Sequence, residues 1–556
     1  MSPRMLAAWL APALLLAPPA GQEPVVAIEG AAVVTMTSDG EPLVDHTVLI
    51  RGDTIAAVGP RTSISVPAGA RQIDGRGLYV IPGLIDSHVH IYEPRDLSVL
   101  LAHGITSVLN QAGSPFHLDL RADVRAGRRV GPTIYTTGAQ LKDSAHPAID
   151  TERTVASVTD ARRVVATQAA GGYDFIKPWS GFSREIYEAI VDEAHARGAR
   201  LIGHLPRSAG LQGVGAAGQS IAHIEEFYTK HFDRTINDAG IDAAVAIVAR
   251  EGIAVSTTLL TYEMIARTVS PGLDGLLDRP GRRLVDPARR LMWEPDFNEY
   301  RRATFMERGP ETYRRALPFQ QRIARALDEA GVPLLAGTDA GLLPGIVPGE
   351  DLVRELELLV EAGLPPVRAL ATATRQPGTF LEPAAPFGTV AIGRRADLVL
   401  LGANPLEGVG NLRTIRGVVS RGRYFDRAAL DALLADVFAA NDRTDTFVRT
   451  VMTDGVAAGR VYVSNWRRAG RDGIPFEPMP ACLLAYVLAN RNDLPGAIEL
   501  LRLTVEVHSK DYFSAMMLAG ALYATGDKAG ARDAYAMVLL RRPGHPEAER
   551  MWRQLR

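Results

Sequence analysis

Between residues 79 and 336, short apolar runs alternate with stretches in which apolar residues recur every three or four positions. The runs predict eight strands, at 79–89, 105–109, 133–136, 175–176, 200–202, 220–224, 253–257 and 333–336. The stretches between them, such as 183–197, predict amphipathic helices. Eight strand–helix repeats over roughly 300 residues define an α/β fold class, a (β/α)8 TIM barrel, whose chemistry sits at the C-terminal ends of its strands. Before and after this region the period changes to two. Residues 47–58 alternate on both sides of Arg51-Gly52-Asp53, a hairpin signal, and 388–425 has the same β-rich character. The two flanking pieces are expected to pair into one discontinuous β-sandwich.

From about residue 426 the chain is rich in Ala, Leu and Arg at helical spacing. Asp493-Leu-Pro-Gly-Ala497 returns as Asp527-Lys-Ala-Gly-Ala531, and Leu484, Leu488 and Leu501 return as Leu518, Leu522 and Tyr535. This offset of about 34 residues resembles the tetratricopeptide repeat. Two units are fewer than a solenoid needs, so the all-α tail is expected to pack on the main body, and a peptide or protein partner is an open alternative. At the other end, Arg4, the apolar run 5–17 and Pro18-Pro19-Ala20 read as a signal peptide and imply a secreted or periplasmic protein. No later run approaches the ~20 apolar residues of a spanning helix, so no integral membrane segment is expected after cleavage. The expected order is signal peptide 1–22, sandwich 23–81, barrel 82–382, sandwich 383–425 and helical tail 426–556.

Composition narrows the partners. Hydrophobic residues at 47% and charged residues at 22% exclude a disordered chain. With 61 Lys+Arg against 63 Asp+Glu, no overall field draws the chain to nucleic acid, which leaves a small molecule as the expected partner. Cys482 is the single cysteine, which excludes an intrachain disulfide and any cysteine-rich metal site. A bound metal would need His, Asp, Glu or Lys.

Those residue types stand at predicted strand ends. His88 and His90 alternate with Val89, so both imidazoles share one face, either as metal ligands or as a hydrogen-bonded core pair. Lys177 follows the fourth strand, His204 the fifth, His223 the sixth and Asp339 the eighth. Each polar residue comes directly after an apolar run, where a barrel places its functional groups. An ammonium repels cations, so Lys177 suits a metal site only as its CO2-derived carbamate; otherwise it would bind a substrate carboxylate.

With its entry motif at 74–86 and exit motif at 388–401, the stretch 26–425 resembles the amidohydrolase superfamily of metal-dependent hydrolases. The resemblance implies two divalent ions, most plausibly Zn2+, with His88, His90 and Asp339 on the first, His204 and His223 on the second, and carbamylated Lys177 bridging them. It implies that Asp339 shuttles the proton in hydrolysis of a C–N amide bond. The Phe175-Ile-Lys-Pro178 turn is most similar to the prolidase-like and dipeptidase-like branch and to ochratoxin-hydrolysing amidases, whereas imidazolonepropionase-like members lack that lysine. The implied substrate is a small amide beside a carboxylate, such as an Xaa-Pro dipeptide or an N-acyl amino acid. Alternatives are a cyclic amide, a lactone or a phosphotriester, or, in another class, a non-catalytic scaffold that binds peptide through the repeats. His146, Tyr228 and His231 are candidate substrate contacts, and the arginine-rich stretch 262–331, which has no lysine, is a candidate lid. Relatives often assemble through barrel and sandwich, so a homo-oligomer is also implied.

Overall fold

The structure, a computed structural model, describes residues 24–143, 151–270, 274–301, 303–341, 343–471 and 473–556. The expected signal peptide and His146 lie outside the described residues. Strands Leu84–Val89, Ile105–Asn110 and Thr133–Thr136 form one parallel sheet, and Phe175–Ile176, Arg200–Gly203, Ser220–Ile221, Val255–Ser256 and Leu334–Leu335 form a second. Single parallel bridges join them, from Thr137 to Phe175 on one side and from Val89 to Ala340 on the other. All three strands of the first sheet are buried along their whole length. A parallel strand covered on both faces has no solvent side, which is why these segments read as continuous apolar runs. One face packs Ile85, Leu109, Phe175 and Ile202 together; the other meets helices such as Arg184–Ala196. That helix starts where Ser183 accepts a hydrogen bond from Ile186 N, and it turns Tyr187, Ile190 and Ala194 inward at helical spacing.

The first predicted strand is two strands in two sheets. Tyr79–Pro82 pairs antiparallel with Leu398–Leu401, and only after Gly83 does Leu84–Val89 enter the parallel sheet. A β carbon on Gly83 would lie 2.1 Å from Thr106 Oγ1, so glycine lets the chain cross between the sheets at a distance no side chain permits. Apolar residues on both sides of Pro82-Gly83 make the two strands read as one run. The second sheet system has eight strands drawn from both ends of this region: Arg423–Asp426, Ile415–Ser420, Leu398–Leu401, Tyr79–Pro82, Val25–Val33, Leu43–Arg51 and Thr54–Pro60 in that order, with Arg71–Asp74 beside Val25–Val33. The hairpin at 47–58 pairs Ile50 with Ile55 and Arg51 with Thr54.

After Val255–Ser256 the chain runs through helix Leu259–Val269, short turns and the long helix Gly309–Glu329 before Leu334–Leu335. Several of the insertion's arginines are spent on ion pairs. Arg289 is buried against Asp96, Arg279 meets Asp351 at 2.5 Å, and Arg290 meets Asp445 of the tail at 3.0 Å. Asp96 in turn accepts Tyr92 N at 3.1 Å and Glu93 N at 3.2 Å, fixing the loop that follows His90.

The tail is helical throughout its regular elements. Helices Pro478–Asn490 and Tyr512–Ala524 begin 34 residues apart, as do Leu494–Val507 and Lys528–Arg541. Asp493 and Asp527 cap the second helix of each pair by accepting Gly496 N at 2.9 Å and Gly530 N at 2.8 Å. The tail rests on the body: helix Arg427–Asp454 packs on Asp96–Ala102, Arg542 pairs with Asp119, and Phe116 touches both apolar cores. Among the described residues, no helix is long and apolar enough to cross a membrane.

Candidate functional site

The C-terminal ends of the parallel strands bring His88, His90, Lys177, His204, His223 and Asp339 to one place. The His88 and His223 rings lie 4.4 Å apart, the His204 and His223 rings 5.0 Å, and the His88 and His90 rings 5.3 Å. Asp339 Oδ1 stands 3.0 Å from His90 Nε2 and 3.3 Å from His88 Nε2, and Lys177 Nζ stands 3.2 Å from His88 Nε2. One donor atom each from His88, His223 and Asp339 falls within 4.8 Å of the others, a group that could hold a metal ion.

The outer nitrogens of three histidines are engaged. His88 Nδ1 is 3.0 Å from Ala222 O, His204 Nδ1 is 2.6 Å from Glu226 Oε1, and His223 Nδ1 is 3.1 Å from Thr258 Oγ1. Each acceptor favours the Nδ1–H tautomer and leaves Nε2 as the lone-pair nitrogen, the form in which histidine binds a cation. Burial, ahead of the neighbouring cations, pushes the pKa of His88 and His204 well below the ordinary value and that of His223 down to about 3, so all three rings are neutral at pH 7. Burial also depresses the Lys177 amine to about 7, and no carboxylate forms an ion pair with it among the described residues. Burial alone would raise Asp339, but the His90 hydrogen bond and the surrounding cationic groups outweigh it and hold the carboxyl at about 2. Neutral imidazoles, an ionised carboxylate and an amine without a counter-ion are a donor set that fits a cation better than it fits an apolar core.

Two backbone outliers mark the same place. Asp339 has φ 56° and Thr258 φ 37°, left-handed values uncommon for any side chain and rarest for a β-branched one. Asp339 is held there by its own N–H, which donates to His88 O at 2.8 Å, and by the turn before it. In that turn, buried Asp86 accepts Thr338 N at 3.1 Å, Thr338 Oγ1 at 2.7 Å and His88 N at 3.2 Å, tying the first and last strand ends together.

The sequence pattern alone assigns no role to Asp86, Glu226, Thr258 or Thr338. For Glu226 a signal exists: two glutamates directly follow an apolar run that carries a ligand-type histidine. One wall of the site has no counterpart in the sequence pattern. Strand Gln140–Lys142, paired with Glu152–Thr154, sets Lys142 Nζ 3.2 Å above the Trp179 ring, which lies 4.0 Å from the His204 ring. The substrate candidates are placed differently. Tyr228 is buried on the turn Phe227–His231, edge-on to Tyr262 and Phe319, whereas His231 is exposed with its ring against Phe232.

Residues 79–425 match the model of the amidohydrolase family. An uncharacterised protein of Mycobacterium tuberculosis is 26% identical over 404 residues, 66% of this chain and 90% of that one. Among solved structures, bottromycin amidohydrolase is 26% identical with a TM-score of 0.60, over 75% of this chain and 90% of that one. A candidate prolidase from Bifidobacterium longum is 25% identical with a TM-score of 0.59, over 75% of this chain and all of that one. The family model spans well over half of the sequence and contains every strand end that carries a cluster residue, and the chain therefore belongs to the amidohydrolase family.

Proposed function

We propose that the protein is a binuclear metal-dependent hydrolase built on a (β/α)8 barrel, and that it cleaves an amide bond next to a carboxylate, as a prolidase or an N-acyl-amino-acid amidase does. The observation that carries this reading is the convergence of four imidazoles, Asp339 and buried Lys177 at one set of strand ends. The two bridges between the parallel sheets support the barrel, and the prolidase and amidohydrolase neighbours support the bond type. His88, His90 and Asp339 would hold one ion, His204 and His223 the other, and the carbamate of Lys177, formed from the neutral amine that burial favours, would reach both. Divalent ions bound there, Zn2+ in this reading, would supply Lewis acidity for a more acidic water and a polarised carbonyl oxygen.

The chain's own residues do the rest. Asp339 Oδ1 is shared with two imidazoles, which leaves its other oxygen to take a proton from the attacking water and return it to the leaving amine nitrogen. An amine leaves poorly unless protonated, so this transfer governs amide cleavage. Asp86 and Thr338 hold Asp339 in its left-handed turn, and Glu226 holds His204. Tyr228, His231 and His146 would contact substrate, and the insertion would close over the site; Arg279, Arg289 and Arg290 of the insertion are already in ion pairs, so recognition of a carboxylate would fall to groups nearer the strand ends. We place the enzyme outside the cytoplasm on the composition of residues 4–20, and assign the repeat-like tail a tetratricopeptide-like packing role.

Purified protein should carry close to two zinc ions, and turn over Xaa-Pro dipeptides or N-acyl amino acids once zinc and bicarbonate are supplied. Lys177→Ala should lose both activity and the second ion. Undiminished activity in Lys177→Ala would sink the mechanism, and equal turnover of neutral esters would count against carboxylate recognition.

A further inference from the structure

Helix Leu259–Val269 starts just past the strand Val255–Ser256, and its first N–H groups need acceptors. Thr258 occupies the capping position, and a threonine there ordinarily supplies the acceptor from its own side chain. Here it makes no such bond. Glu355, fully buried on helix Leu352–Glu361, does the capping instead: it accepts Leu259 N at 3.1 Å, Leu260 N at 2.8 Å and the Thr257 hydroxyl. The Thr258 hydroxyl, thus released, sits 3.1 Å from His223 Nδ1. The Thr258 backbone is pinned from the other side, where its carbonyl accepts Thr261 Oγ1 at 2.8 Å.

We infer that Glu355 is a positioning residue for His223. By capping the helix in place of Thr258, it keeps Thr258 in its left-handed conformation with Oγ1 aimed at the imidazole, where it accepts Nδ1–H and turns Nε2 toward the cluster. His88 and His204 have rigid acceptors, a backbone carbonyl and a buried carboxylate. A hydroxyl rotates, so His223 alone among the three depends on a lock imposed from another helix. This inference rests on the metal reading above.

The test measures zinc affinity of the full chain against a chromogenic chelator, together with the melting temperature of the metal-free protein. Thr258→Val keeps the shape and removes the acceptor; it should weaken zinc binding about 10–100-fold, the range for losing a partner behind a metal-binding histidine, while Thr258→Ser restores binding. Glu355→Gln should weaken zinc about tenfold in the native background and add nothing in the Thr258→Val background, because its effect passes through Thr258. A merely structural glutamate would instead lower the melting temperature and leave zinc affinity unmoved. Wild-type protein that binds no zinc overturns the metal reading and this inference together. Wild-type binding with Thr258→Val unchanged, or an equal Glu355→Gln loss in both backgrounds, overturns the relay alone.

Discussion

Replacing Arg289 with methionine tests how the insertion is fastened to the loop that follows His90. Arg289 is 1% exposed and Asp96 3%, and one guanidinium nitrogen, Nη2, engages Asp96, while Nε and Nη1 find no hydrogen-bond partner among the described residues. Removing one member of a buried pair destabilises by about 3–5 kcal/mol, because the survivor is left charged and dry. The incomplete hydrogen bonding of Arg289 puts the expected loss at the lower end, about 3 kcal/mol. Glu93 keeps Arg95 at 2.8 Å, so the stranded charge is Asp96. Asp96→Asn retains an acceptor for Tyr92 N and Glu93 N and removes that charge. The double variant should therefore be more stable than the sum of the single losses by about 1.5 kcal/mol or more. Urea unfolding followed by fluorescence is a suitable assay, since buried Trp293 lies in the same insertion. Additivity within about 0.5 kcal/mol would refute the claim that these two charges are coupled.

Glu226→Ala should strand His204 Nδ1–H and Leu205 N–H and weaken metal binding about 10–100-fold, measured by chelator competition. Gly83→Ala should destabilise by about 1–3 kcal/mol in the same urea assay, and Thr106→Ser, which removes the methyl but not the nearer hydroxyl, should recover little of the loss. Zinc at about 100 times its dissociation constant should add about 2.7 kcal/mol of stability to the wild type, a gain largely absent in Asp339→Asn. In the metal-free protein Asp339 has its carboxyl depressed from 3.8 to about 2, so its ionised form stabilises the fold above pH 4 and that contribution is lost as pH falls toward 2; Asp339→Asn should flatten this part of an acid titration.

What could be read from the sequence and what could not follows from range. Lys177, His204, His223 and Asp339 come at the ends of apolar runs, and His88 and His90 alternate with Val89 at the end of another, so local pattern locates all six at strand ends. Glu355 lies 98 residues from Thr257 in the chain, and the residues between give no sign that the two meet. Asp86 and Thr338 are likewise joined across 252 residues. Helix Arg184–Ala196 and the hairpin around Gly52 carry their own signals, a capping serine and a turn, and appear where pattern puts them. At Gly83 the Pro82-Gly83 pair marks a break, but the reason for glycine there, the approach of Thr106 on the neighbouring strand, is not local. The short parallel pair Gln140–Lys142 and Glu152–Thr154 has too few residues to show a period.

The eight-stranded sheet has a consequence for how the chain is made. Strand Tyr79–Pro82 is hydrogen-bonded to Leu398–Leu401, more than 300 residues downstream. At about 5–20 residues per second, a ribosome needs roughly 15–60 s to synthesise that interval. Throughout it, the edge of Tyr79–Pro82 turned away from Val25–Val33 has no partner strand, although Val80 and Ile81 are both fully buried in the finished fold. The edge of Tyr79–Pro82 is thus the segment of the nascent chain most in need of a chaperone, and high contact order is built into the scaffold that carries the site.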